Sequence, residues 1–102
     1  MQRQSQGALI RARRAELGLS RGALAREMNK SPAFLVQVER DERRLTLPAT
    51  VEAAARALHL TADEVWHAGG RIPADIAAFL VANPSVWPVI RRVMSKPPTP
   101  PA

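Results

Sequence analysis

LSRGALAREMNKSPAFLVQVE, residues 19–39, holds two short helical patterns separated by a sharp turn. Ser20 is a good N-cap for the first of them, which runs to about Met28 with Leu24, Ala25 and Met28 as its inner face. Gly22 weakens that helix by about 1 kcal/mol relative to alanine. Asn29 falls where the chain must turn, and asparagine tolerates a positive φ better than most residues. Ser31 opens the second helix as N-cap. Pro32 follows at the first helical position, where its missing N–H costs nothing. This helix runs through Leu35, Val38 and Glu39 and ends near Arg40. Ala25 is small enough for a close helix crossing, and Leu24, Met28, Leu35 and Val38 form the shared apolar seam. Ser31, Pro32, Ala33, Phe34, Val36, Gln37 and Arg40 are left on the outer or end-on surface.

Outward from this block the chain reads as helix throughout. A helix over about Gln6–Leu17 precedes it, with Gly18 as a left-handed cap. Arg40-Asp41-Glu42-Arg43-Arg44 is a charged loop. A fourth helix begins near Thr46–Pro48 and reaches Leu58, burying Val51, Ala54, Ala55 and Leu58. Thr61-Ala62-Asp63-Glu64 is a capping box opening a short fifth helix, closed by Gly69-Gly70. Pro73 opens a sixth helix and Pro84 a seventh. Ala and Leu dominate the apolar residues, and no run alternates as a strand would. The expected architecture is all-α: a five-helix domain over residues 1–69, two further helices over 70–96, and a disordered Pro-rich tail over 97–102.

Composition narrows the function. The net charge is +6, and residues 1–44 carry ten Lys/Arg against five Asp/Glu. Residues 45–102 carry five against four. A cation surplus in one half suits a polyanionic partner, because neutralising phosphates releases counterions. With no cysteine there is no disulfide framework, thiol nucleophile or Cys-based zinc site. His59 and His67 are eight residues apart with no carboxylate at metal spacing, so neither a catalytic residue nor a metal or other cofactor is expected. No signal-peptide core and no membrane-length apolar stretch is present, which fits a cytoplasmic protein with no membrane partner.

Three segments, IRARRAELGLS, ALAREMNKSPAFLVQVE and AAARALHL, make residues 7–60 resemble the Cro/phage-repressor (XRE) type of helix-turn-helix regulator. Two positions depart from that pattern. Asn29 replaces the usual turn glycine, and Asp41 replaces the glycine that follows Glu39-Arg40. The resemblance implies a lambda-repressor-like fold in which the helix opened by Ser31 enters the DNA major groove. Carried over position by position, Ser31, Pro32, Ala33 and Gln37, with Phe34 beside them, are the base-reading residues. Gln37 can pair bidentately with adenine. Ala33, Phe34 and Val36 offer an apolar patch to thymine methyls, although Phe34 and Val36 also fit burial against a neighbour, and Ser31 also fits a purely capping role.

The cations divide into two groups. Arg21, Lys30, Arg40, Arg43 and Arg44 surround the recognition helix and are assigned to phosphates, with Arg43 or Arg44 also placed to enter a flanking minor groove. The resemblance assigns Arg14 to a structural ion pair with Glu39, tying the first helix to the third. At the other end, Ile76, Phe79, Leu80, Trp87, Ile90, Val93 and Met94 carry more apolar surface than a small domain covers easily. They are expected to mediate a homodimer reading an inverted-repeat operator, the alternative being that both helices fold back on the domain. The functional expectation is a dimeric transcriptional repressor of the kind found on plasmids and phages, acting at the bacterial nucleoid without a small-molecule effector. An antitoxin of the same fold and a protein adaptor that binds no DNA are the competing expectations.

Overall fold

The computed structural model describes residues 4–96, and the Pro-rich segment 97–102 lies outside the described residues. The helices are α1 (Gln6–Glu16), α2 (Arg21–Glu27), α3 (Pro32–Glu39), α4 (Pro48–Leu58), α5 (Ala62–Ala68), α6 (Ala74–Ala82) and α7 (Trp87–Ser95). There is no strand among the described residues. Helix starts follow local chemistry. The hydroxyls of Ser5, Ser20, Ser31 and Thr61 each accept a backbone N–H three residues on, satisfying donors that a helix end leaves orphaned. Asn29 and Gly18 take positive φ at the two turns (57° and 67°).

α1 packs on α3 and α5, α2 on α3 and α4, and α4 on α5. Their shared core contains Ile10, Leu24, Leu35, Val38, Val51 and Leu58, all fully buried. Ala25 is 1% exposed, as its place at the α2–α3 crossing requires. Two polar anchors close the domain. Gln6 is buried; its Oε1 accepts the Leu45 N–H (2.7 Å), and its Nε2 donates to the carbonyls of Leu45 and Val65. Asp41 takes a positive φ of 60°. Its carboxylate offsets that backbone strain by accepting Gly7 N–H (3.0 Å) and the Ser5 hydroxyl (2.8 Å) at the start of α1.

α4 begins at Pro48, within the expected Thr46–Pro48 start, after Leu47, which supplies no side-chain cap. One boundary differs from the sequence expectation. Pro84 opens a single 3-10 turn, Pro84–Val86, and the seventh α-helix starts only at Trp87. The cause is Pro88: it has no N–H to give the Pro84 carbonyl four residues back, so that carbonyl takes the Trp87 N–H instead.

α6 and α7 stand away from the five-helix domain. Neither contains a buried residue, and their principal packing is on the 3-10 turn between them. The Trp87 indole N–H clips them together through the Leu80 carbonyl (2.7 Å). The radius of gyration, 15.9 Å, exceeds the ~13 Å of a compact chain this long, consistent with a projecting arm.

Candidate nucleic-acid interface

One face of α3, beginning at its N-cap, is presented to solvent. Ser31, Pro32, Ala33 and Gln37 are exposed, because the apolar spacing of Leu35 and Val38 turns the opposite side of the helix into the core. The Ser31 hydroxyl is engaged as N-cap, accepting Phe34 N–H at 3.2 Å. Val36 is half-buried. Phe34 is also half-buried and packs against the core.

Cations gather around this face. Lys30 Nζ lies 5.2 Å from the Phe34 ring centroid, and Arg43 Cζ lies 5.0 Å from the same centroid. Arg43 Nε also donates to Gln37 Oε1 (3.0 Å). Arg40 and Arg44 are exposed on the α3–α4 loop. Arg40 borders a cleft of about 230 Å³ with Arg11, Arg21, Val36 and Glu39. Arg11, on α1, is a cation the sequence did not single out; its alignment with Arg21 and Arg40 is a tertiary property.

Beneath the face lies a two-arginine clamp on one carboxylate. Arg14 Nε and Nη2 donate to the two oxygens of Glu39 (2.7 and 3.0 Å), and Arg14 Nη1 donates to the Leu19 carbonyl (3.0 Å). Arg21 Nε donates to Glu39 Oε1 at 3.1 Å. The Arg21 side chain is 50% exposed, against 3% for Glu39. Assigned from sequence to a phosphate alone, Arg21 is also tethered to the α3 carboxylate, which fixes where its free donors point.

Burial opposes ionisation of Glu39, but the hydrogen bonds and charges of Arg14 and Arg21 outweigh it and hold its carboxyl below the ordinary carboxylate range. A pH dependence follows. Because the folded value is depressed, this contribution to stability is complete above the unfolded pKa, about 4.3. It disappears as pH falls through the lower folded value. Glu39→Gln should be less stable at pH 7, and urea midpoints of the two proteins should converge as the pH is lowered through that window. Parallel pH profiles would show that the carboxylate charge contributes nothing.

The other sequence-assigned residues lie elsewhere. Ile76, Phe79, Trp87, Val93 and Met94, on the α6–α7 arm, are 41–71% exposed; Leu80 and Ile90 are half-buried. His59 and His67 are both exposed, and among the described residues no group of three acidic or histidine side chains could hold a metal. No described helix is long and apolar enough to cross a membrane.

A model of the helix-turn-helix domain family matches residues 7–68. Among solved structures, the chain is similar to the clp gene regulator ClgR from Corynebacterium glutamicum, with 20% identity, a TM-score of 0.56 and 92% of each chain covered. That identity speaks to the fold alone. No curated protein matches the sequence.

Proposed function

This chain belongs to the helix-turn-helix domain family, and from that membership we propose that it is a transcriptional repressor binding a double-stranded DNA operator as a homodimer. The observation that carries the proposal is the exposed face formed by Ser31, Pro32, Ala33 and Gln37, with Lys30 and Arg43 beside it and Arg21 and Arg40 at its flank. Ser31, Pro32, Ala33 and Gln37 meet base edges, with Phe34 as the apolar floor beside them. Arg21, Lys30, Arg40 and Arg44 take the flanking phosphates and fix the register. Arg14 and Glu39 stay within the scaffold.

Dimerisation rests on the arm. Residues 1–69 form the DNA-binding unit, and residues 70–96 pair with their twin through Ile76, Phe79, Leu80, Trp87, Ile90, Val93 and Met94. That leaves two α3 helices to read half-sites about one DNA turn, ~34 Å, apart. Occluding a promoter in this way needs no cofactor, catalytic group or effector, and the protein acts at the bacterial nucleoid.

The test is footprinting on DNA upstream of the protein's own gene, with sedimentation of the free chain. Symmetric protection of two half-sites, binding that weakens steeply with salt, and a dimer in solution are expected. Phe79→Asp, a change at a half-exposed position, should leave the fold intact, give a monomer and weaken operator binding at least tenfold. A wild-type chain that shows no salt-dependent affinity for any duplex would contradict the proposal.

A further inference from the structure

We propose that Gln37 and Arg43 act as one donor unit that reads guanine, rather than adenine, in the major groove; this rests on the DNA-binding reading above. A free glutamine amide presents an acceptor beside its donors, which matches adenine's N6–H₂ donor and N7 acceptor. Here one of that oxygen's two lone pairs is already engaged: Gln37 Oε1 takes the Arg43 Nε–H at 3.0 Å, and the guanidinium adds donors beside the amide.

Arg43 is positioned from two sides. Its guanidinium lies over the Phe34 ring, and that ring is packed against the core, so the stacking platform is anchored. The loop that delivers Arg43 is pinned two residues earlier, where the Asp41 carboxylate holds Ser5 and Gly7. Lys30 over the same ring adds a further positive charge.

The pair therefore shows the groove the two N–H bonds of Gln37 Nε2 together with the terminal N–H groups of Arg43. Guanine's major-groove edge offers two acceptors, O6 and N7. Adenine offers these donors only N7 and sets its N6–H₂ donor against the rest. Arg43 thus helps to determine specificity, whereas a phosphate-binding arginine would strengthen all sequences alike.

The experiment is selection of duplexes from a randomised library by the full chain, followed by competition binding of single-position variants. Wild type should select guanine at one symmetric position per half-site, with a loss of roughly tenfold on replacement by adenine, the scale of one bidentate contact. Arg43→Met keeps the stem but removes the donors and frees Gln37 Oε1. Its guanine preference should vanish or reverse towards adenine, and Gln37→Ala should lose discrimination at the same position. Both side chains are exposed, so both variants should melt like wild type. Selection of adenine by wild type, or an Arg43→Met variant that weakens every sequence equally with its preference intact, would overturn this inference while leaving the DNA-binding reading standing. A wild-type chain that enriches no sequence would overturn both.

Discussion

Arg14→Ala is expected to destabilise the protein by about 3–5 kcal/mol, the usual result of breaking a buried ion pair from one side. Arg14 makes a two-pronged contact with Glu39 and a third hydrogen bond to the Leu19 carbonyl, so one side chain joins α1, the α1–α2 turn and α3. Its own side chain is 14% exposed and that of Glu39 3%. Without Arg14, the buried carboxylate keeps only Arg21, which is half in solvent. A domain of this size has a total stability of about 5–15 kcal/mol, so the variant should be partly unfolded near 37 °C. Arg14→Lys should fall between the two, because an ammonium cannot reproduce the planar fork. Urea denaturation at neutral pH checks all three proteins. A loss below about 1 kcal/mol for Arg14→Ala would mean that α1 is held on α3 by the apolar core alone.

The second large effect runs against helix propensity. Gly7→Ala places a methyl inside α1, where alanine is ordinarily better than glycine by about 1 kcal/mol. Here the added Cβ would sit 2.4 Å from the Val38 carbonyl oxygen and 3.0 Å from that of Glu39. Both are backbone atoms at the end of α3 and cannot swing aside. The Asp41 carboxylate, at 2.7 Å, would also be displaced from its bond to the Gly7 N–H. Separating α1 from the end of α3 should cost about 1–3 kcal/mol, as overpacking does. Gly22→Ala is the control: its Cβ would meet nothing nearer than the Ser20 hydroxyl at 3.9 Å, and it should stabilise by about 0.4–1 kcal/mol. Thermal melts should move in opposite directions. A shared sign would mean that the α1–α3 approach is not tight in solution.

These two sites mark where sequence reading gives way to tertiary geometry. Helix starts at Ser20, Ser31 and Thr61 were legible because each capping hydroxyl acts within three residues of itself. The apolar seam of Leu24, Leu35 and Val38 was legible because helical spacing alone assigns it to one face. What stayed hidden depends on partners brought together from far along the chain. Gln6 reads as an ordinary polar residue, yet it is buried and spans 39 residues to Leu45 and 59 to Val65. Asp41 reads as one charge of a charged loop, yet it takes a positive φ and its carboxylate holds Ser5 and Gly7 at the start of α1.

At the candidate interface, spacing gave the exposure of Gln37 but could not give its partner. The Arg43 bond depends on the path of the loop after α3, which local sequence does not determine. Nor could periodicity show that Arg21 shares Glu39 with Arg14, since that contact joins two helices across a turn. The late start of α7 was in principle readable, because Pro84 and Pro88 are four residues apart, the spacing of one α-helical hydrogen bond.

On the proposed function, the exposed face of α3 that begins at Ser31 enters a duplex groove. The most direct measurement is a titration of the ¹⁵N-labelled full chain with its selected duplex, followed residue by residue at low and high salt. The amides of Ser31 and of Ala33 to Gln37, with those at the start of α2, should move most, with the changes suppressed by salt. Shifts confined to α6 and α7, with α3 unmoved at saturation, would contradict the account.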